Sequence, residues 1–422
     1  MHDLRSAKKI FGTPVLVGFI FVVSGCSALL RSQATGSNST LTPGATPVST
    51  PTATPSFVQN QGVVTTFAGT AGSSGSVADT GSSGSSGSSG PATFFQPGSL
   101  AIDSIGNLYV ADTGNYVIRK VTPDGVITTL AGSLGMSGSS DGTGTSATFG
   151  NLGGLGIDAS GNLYAGDLEY ENIRKITPDG VVTTFAGPVG GTGGTGGSGS
   201  SGSSGAVTIT YPSGIAVDSN GNLFVADSGN GAIEEVSSTG VVTLFAGASG
   251  ASGSSGGSGA SDGTGTNATF GQPVGIAFDP QGNLIVADMG TNSIRKITPG
   301  GYVSTLAGSL TGSSGPVGDT GDTGAYDGTG TAAFFASPQG VAVNSQGTIY
   351  VTDTDHTAIR QISPTGVVTT LAGLPGSGTG GVSYSDGTGT NATFGMPTGI
   401  VVDSSGKLFV SDTIEQVIRE IK

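Results

Sequence analysis

From residue 62 onward, apolar residues come in short runs separated by turn-forming dipeptides, and the whole arrangement recurs. The clearest copies are PSGIAVDSNGNLFVADSGNGAIEEV at 212–236 and PVGIAFDPQGNLIVADMGTNSIRKI at 273–297. Related units begin at Pro97, near Gly153, at Pro338 and at Pro397, giving six copies at a period of about 60 residues. Each copy divides into four strand candidates. The first, GIAVD-like, is apolar at nearly every position, as expected of a strand covered on both faces. The second is NLYVAD-like and the third IRKVT-like, where charge first enters. The fourth, GVVTTFAG-like, is rich in β-branched residues, which suit extended backbone. Segments such as Asp103–Asn107 and Pro123–Gly125 supply the tight turns between them, using glycine for positive φ and proline for a fixed φ.

The fourth strand decides how the repeats close. It occurs at 62–69, 125–132, 180–187, 240–247, 301–308 and 366–373, so its first copy precedes any complete unit. The last unit, ending at Lys422, has three strands and no fourth. These two defects are complementary. The sequence therefore predicts an all-β, six-bladed β-propeller over 62–422 with four antiparallel strands per blade, the last blade completed by the N-terminal strand 62–69. Such pairing hides the edge the final blade would otherwise expose. An open stack would instead need capping units, and none is visible.

Ahead of the repeats, Arg5, Lys8 and Lys9 precede an apolar run, Ile10–Val23, that is short for a membrane span and reads as a secretory signal. The run ends in Val23-Ser24-Gly25-Cys26, which resembles the lipobox of bacterial lipoproteins. The resemblance implies a signal peptide at 1–25, lipidation of Cys26, and attachment of an exported protein to the membrane through several acyl chains, which hold where one would be marginal. Ser27, in place of an inner-membrane retention aspartate, favours the outer membrane in a cell that has one. Residues 26–61 are Ser/Thr/Pro-rich and bury too little apolar surface to order themselves, so they are expected to form a tether.

The repeats themselves resemble NHL repeats across 62–422. The motif is a Pro-x-Gly-Ile-Ala-Val-Asp opening, a Gly-Asn-Leu-Tyr-Val-Ala-Asp centre and an Ile-Arg-Lys close. Departures are local. The second unit lacks the opening Pro and has Gly166 for Ala, the third has Glu234-Glu235 for Arg-Lys, and the fifth has Asn344 for Asp.

Composition narrows the function classes. A net charge of -14 leaves no basic footprint for nucleic acid. One cysteine excludes an internal disulfide, and two histidines, His2 and His356, cannot build a multi-histidine metal site. The second strands end in Asp112, Asp167, Asp227, Asp288, Asp353 and Asp412, one per blade on one face, an arrangement that could attract a cation or cationic ligand. The competing role is local, each carboxylate accepting nearby backbone NH groups. Arg119, Arg174, Arg295, Arg360 and Arg419 on the third strands suit ion pairs within the fold. Four blade-to-blade crossings share a phrase, DGTGTSATF at 141–149, DGTGTNATF at 262–270, DGTGTAAFF at 327–335 and DGTGTNATF at 386–394. Its Asp is expected to start a turn and its last Phe to return the chain to the core; a Ca2+ loop is the alternative, without the acidic spacing of an EF-hand. Long Gly/Ser inserts at 81–95 and 190–210 fall in crossings, on the face opposite the tight turns.

No catalytic residue and no metal-ligand set stand out, and no cofactor is implied apart from that calcium alternative. The expectation is a monomeric, non-enzymatic binding scaffold at the cell envelope, recognising an extracellular or envelope protein or a glycan, with no nucleic-acid partner. The alternative is a calcium-dependent hydrolase or lyase of the lactonase-like propeller type.

Overall fold

The computed structural model describes residues 62–71, 92–188, 207–248, 260–310, 326–375 and 384–422. The chain divides into Met1–Phe57, outside this set, and Val58–Lys422. The signal peptide at 1–25, Cys26, the tether 26–61 and most of the inserts at 81–95 and 190–210 thus lie outside the described residues.

Six antiparallel sheets stand in a ring. Blade 1 comprises Pro97–Ile102, Leu108–Asp112, Val117–Val121 and Ile127–Ala131. Blade 2 runs from Leu152–Ile157 to Val181–Ala186, blade 3 from Pro212–Val217 to Val242–Ala246, blade 4 from Pro273–Phe278 to Tyr302–Gly308, and blade 5 from Pro338–Val343 to Val367–Gly373. Blade 6 takes Pro397–Val402, Leu408–Asp412 and Val417–Ile421 from the C-terminus and Val63–Gly69 from the N-terminus. Each first strand lies against the first strand of the next blade, and that of blade 6 lies against that of blade 1.

The closing strand is paired along its length. Val64 opposes Ile421, Thr65 opposes Glu420 and Thr66 opposes Arg419. Val63 N–H donates to the Lys422 carbonyl at 3.0 Å, and Lys422 N–H donates back at 3.0 Å. Val64 is fully buried with Ile400, Leu408 and Ile421, whereas Ala68 packs with Phe94, Leu100 and Leu108. The same strand thereby enters both apolar clusters that flank blade 6. The Phe67 ring meets Phe409 edge-on at 4.9 Å.

The sequence expectation of four strands per blade needs one refinement. In blades 2, 4, 5 and 6 a fifth, two-residue strand runs outside the fourth: Gly142–Thr143, Gly263–Thr264, Gly328–Thr329 and Gly387–Thr388. All four come from the DGTGT phrase. It pairs briefly with the blade it is about to enter before a single 3-10 turn.

Close approach at the axis explains the glycine of Pro-x-Gly. A Cβ on Gly214 would lie 2.0 Å from the Val274 carbonyl oxygen of blade 4, nearer than any side chain allows. Blade 1 has Ser99 at this position, and its Oγ accepts the Leu155 N–H of blade 2 at 2.9 Å. Hydroxyls sew other seams. Thr113, Ser228, Thr354 and Thr413 each follow the second-strand Asp and donate to the next blade's opening carbonyl, at Leu152, Pro273, Pro397 and Pro97. The last of these joins blade 6 to blade 1.

Candidate functional site

All six second-strand aspartates are fully buried. Their oxygens accept backbone NH groups of the incoming crossing: Phe95 for Asp112, Gly150 for Asp167, Thr210 and Tyr211 for Asp227, Gly271 and Gln272 for Asp288, Ala336 for Asp353, and Gly395 and Met396 for Asp412. No hydrogen bond or ion pair among the described residues joins one of the six to another. Each locks its own crossing onto its own blade. Burial pushes Asp167 up to about 6 against the opposing pull of the Gly150 and Tyr170 amides, and it raises Asp112 and Asp412 in the same direction.

In four blades the cation beside this aspartate is the protein's own arginine. Arg119 Nε lies 2.9 Å from Asp112, Arg360 Nη1 2.8 Å from Asp353, Arg295 Nη1 3.4 Å from Asp288 and Arg419 Nη1 3.6 Å from Asp412. All five third-strand arginines are fully buried. The guanidinium groups of the third strands therefore do not face solvent. In blades 2, 4, 5 and 6 the far side of the guanidinium meets the crossing phrase: Arg174, Arg295, Arg360 and Arg419 donate to Asp141, Asp262, Asp327 and Asp386 at 2.8–2.9 Å. They also donate to the carbonyls of Thr148, Thr269, Phe334 and Thr393, and the planes cover Phe149, Phe270, Phe335 and Phe394.

This corrects one expectation. The phrase's Asp does not fold back on its own turn; Asp141, for example, accepts from Arg174 and from Thr184 Oγ1. Its partner lies 33 residues on in the chain, a separation no local pattern reveals. The Phe does return to the core, fully or almost fully buried in each case.

Blade 3 keeps the aspartate but not the rest of the unit. Glu234 stands opposite Val225, the register position that places Arg174 opposite Ala165 and Arg295 opposite Val286. Ile209 takes the place of the Phe, and residues 188–211 contain no charged residue. Glu234 is fully buried, and neither carboxylate oxygen has a hydrogen-bond partner. Burial, reinforced by the charge of Asp227, pushes its carboxyl up to about 9. Asp227 itself is satisfied by four N–H donors, two from the crossing and two from Asn230. The sequence flagged Glu234 only as a departure from the repeat; its isolation follows from the missing crossing Asp.

His356 is the second group that the pattern left unplaced. Its Nδ1 lies 2.9 Å from Asp353, where Asn115 and Asn230 serve in blades 1 and 3, and its ring lies 4.2 Å from that of Tyr326. Among the described residues, no three His, Cys, Asp or Glu side chains converge as metal ligands.

Comparison with known proteins agrees with this architecture. The NHL repeat model matches residues 210–234, 270–297 and 335–362, in blades 3, 4 and 5. The chain is 30% identical over 333 residues to Protein SUPPRESSOR OF QUENCHING 1, chloroplastic, of Arabidopsis thaliana, covering 77% of this chain and 30% of that one. It is 29% identical over 354 residues to human NHL repeat-containing protein 2, covering 78% and 47%. The chain thus spans less than half the length of either relative. Among solved structures, a structural genomics protein of unknown function from Bacteroides thetaiotaomicron superposes with a TM-score of 0.58 at 20% identity, covering 86% of this chain and 75% of that one. The chain carries NHL repeats, folded as a six-bladed β-propeller.

Proposed function

We propose that the chain is an exported, lipid-anchored envelope protein that displays its propeller as a non-enzymatic binding scaffold. One observation carries the reading. The crossings that contain 72–91, 189–206, 249–259, 311–325 and 376–383 all run from a fourth strand to the next first strand, so their described ends lie on one face. Their described ends are held by the buried Asp of each blade and, in blades 4, 5 and 6, by its Arg as well. Sequence variation is thus carried on a rigid rim, the usual arrangement for recognition loops. The lipobox at Cys26 and the Ser/Thr/Pro-rich tether would attach the propeller to the membrane. A protein or glycan of the envelope is the partner class; the acidic balance disfavours nucleic acid.

The test uses the full chain and its Cys26→Ser variant. Lipid labelling with an alkyne fatty acid should mark the first and not the second. The purified Cys26→Ser protein is then applied to glycan arrays and to immobilised envelope proteins, beside a version whose crossings 187–211 and 247–272 are shortened to the length of 132–151. Saturable binding that the shortening abolishes is expected. No binding, or binding indifferent to the shortening, would sink the scaffold reading.

A further inference from the structure

In blades 4, 5 and 6 a guanidinium is held between the blade's aspartate and the crossing's aspartate. Blade 3 keeps Asp227, replaces the cation by a second anion, Glu234, and has no charged residue in its crossing from 188 to 211. Two acidic groups then share a buried region with no protein cation between them.

Glu234 leaves its strand at the register position from which the arginines reach outward. Its two oxygens are fully buried without partners. The Thr208 carbonyl precedes Glu234 by the same interval that separates Thr148 from Arg174 and Thr269 from Arg295; in those blades this carbonyl receives the guanidinium. In blade 3 it accepts Asn230 Nδ2 at 2.8 Å and keeps a second lone pair. A buried carboxylate with nothing to bond is costly, and natural structures satisfy such groups with a proton, a water or an ion.

We propose that blade 3 binds a calcium ion where the other blades hold their arginine, with Glu234 as the bidentate ligand and the Thr208 carbonyl as a further oxygen donor. The donor set is all oxygen. Cys26 and both histidines lie elsewhere in the sequence, so soft or imidazole-seeking metals are not served. Calcium accepts a bidentate carboxylate, carbonyls and water in irregular geometry, whereas magnesium demands a near-ideal octahedron. Asp227 has its lone pairs filled by N–H donors and contributes charge rather than a ligand. A single ligating carboxylate places the affinity at about 10⁻⁴–10⁻³ M, the range of weak extracellular calcium modules.

The experiment is calcium titration of the purified full chain in detergent at about pH 9, where proton competition at the carboxylate is small, by calorimetry and thermal unfolding, with magnesium as the competing ion. Four proteins are compared: the parent, Glu234→Gln, Glu234→Arg, and Glu235→Gln as a control for the neighbouring position on the other side of the strand. The parent and Glu235→Gln should bind one calcium and gain about 2–4 °C in Tm near 10 mM calcium. Glu234→Gln and Glu234→Arg should lose both responses while remaining folded by circular dichroism. A parent that shows no saturable calcium binding overturns the proposal and leaves Glu234 a neutral buried acid. Calcium binding retained in Glu234→Gln overturns it equally, by placing the ion at another site.

Discussion

Glu234 offers the sharpest pH-dependent perturbation of the fold. In the folded chain its carboxyl is pushed up to about 9 from 4.5, chiefly by burial and then by Asp227. A carboxyl with a raised pKa binds its proton more tightly folded than unfolded. Its contribution is therefore complete below 4.5 and is lost as pH rises through about 9. Each unit is worth roughly 1.4 kcal/mol, so without bound metal the cost grows to about 3 kcal/mol at pH 7 and about 5 kcal/mol at pH 8.5. Glu234→Gln keeps the shape and removes the titration. With a chelator present, the variant and parent should unfold together at pH 5, within about 1 kcal/mol. By pH 8.5 the variant should be the more stable, by about 7 °C in Tm for a domain of this size. Asp112, Asp167 and Asp412 shift in the same direction in both proteins and cancel in the comparison. A Tm difference that stays flat between these two pH values would refute the reasoning.

Two further perturbations probe the ring. Arg360→Ala would remove the arginine donor from Asp353, Asp327 and the carbonyls of Phe334 and Tyr326, and should cost about 3–5 kcal/mol in denaturant unfolding; a loss below about 1 kcal/mol would show that the unit is solvated rather than closed. Gly214→Ala would drive a methyl group against the Val274 carbonyl and should destabilise by about 1–3 kcal/mol or more, whereas Gly221→Ala, at a turn where the added methyl would meet only Ser238 Cβ at an ordinary 3.8 Å, should cost only the positive-φ strain of about 1 kcal/mol. Equal losses at the two positions would contradict the close approach of blades 3 and 4.

The blades were legible in the sequence because each strand carries its own local signal. Alternating turn dipeptides, Pro-x-Gly and the Asp-x-x-Gly-Asn turn recur in register, and even Asn344 performs the aspartate's work, accepting Gln346 and Thr348 N–H groups through its Oδ1. Closure was legible as well, since a surplus fourth strand at one end matches a deficit at the other. What stayed hidden depended on contacts distant in sequence. Asp141 reads locally as a turn former, and only the fold brings it to Arg174. The two-residue fifth strands are too short for any periodicity to announce them. Arg119 and its counterparts were legible as ion-pairing groups, but their complete burial was not. Glu234 looked like a tolerated variation because its meaning lies in what the preceding crossing fails to supply.

The central claim is that the chain's first strand seals its last blade, and a covalent probe addresses it most directly. In a Cys26→Ser background, Thr65→Cys and Glu420→Cys place two thiols on opposed residues of the closing pair. Their Cα atoms fall at about 4.5–5.5 Å, within disulfide range. Mild oxidation should form an intramolecular disulfide that speeds migration of the denatured chain on non-reducing gels, with a single peptide linking the two strands in mass spectrometry. Free thiols after oxidation, or disulfides only between chains, would contradict the closure.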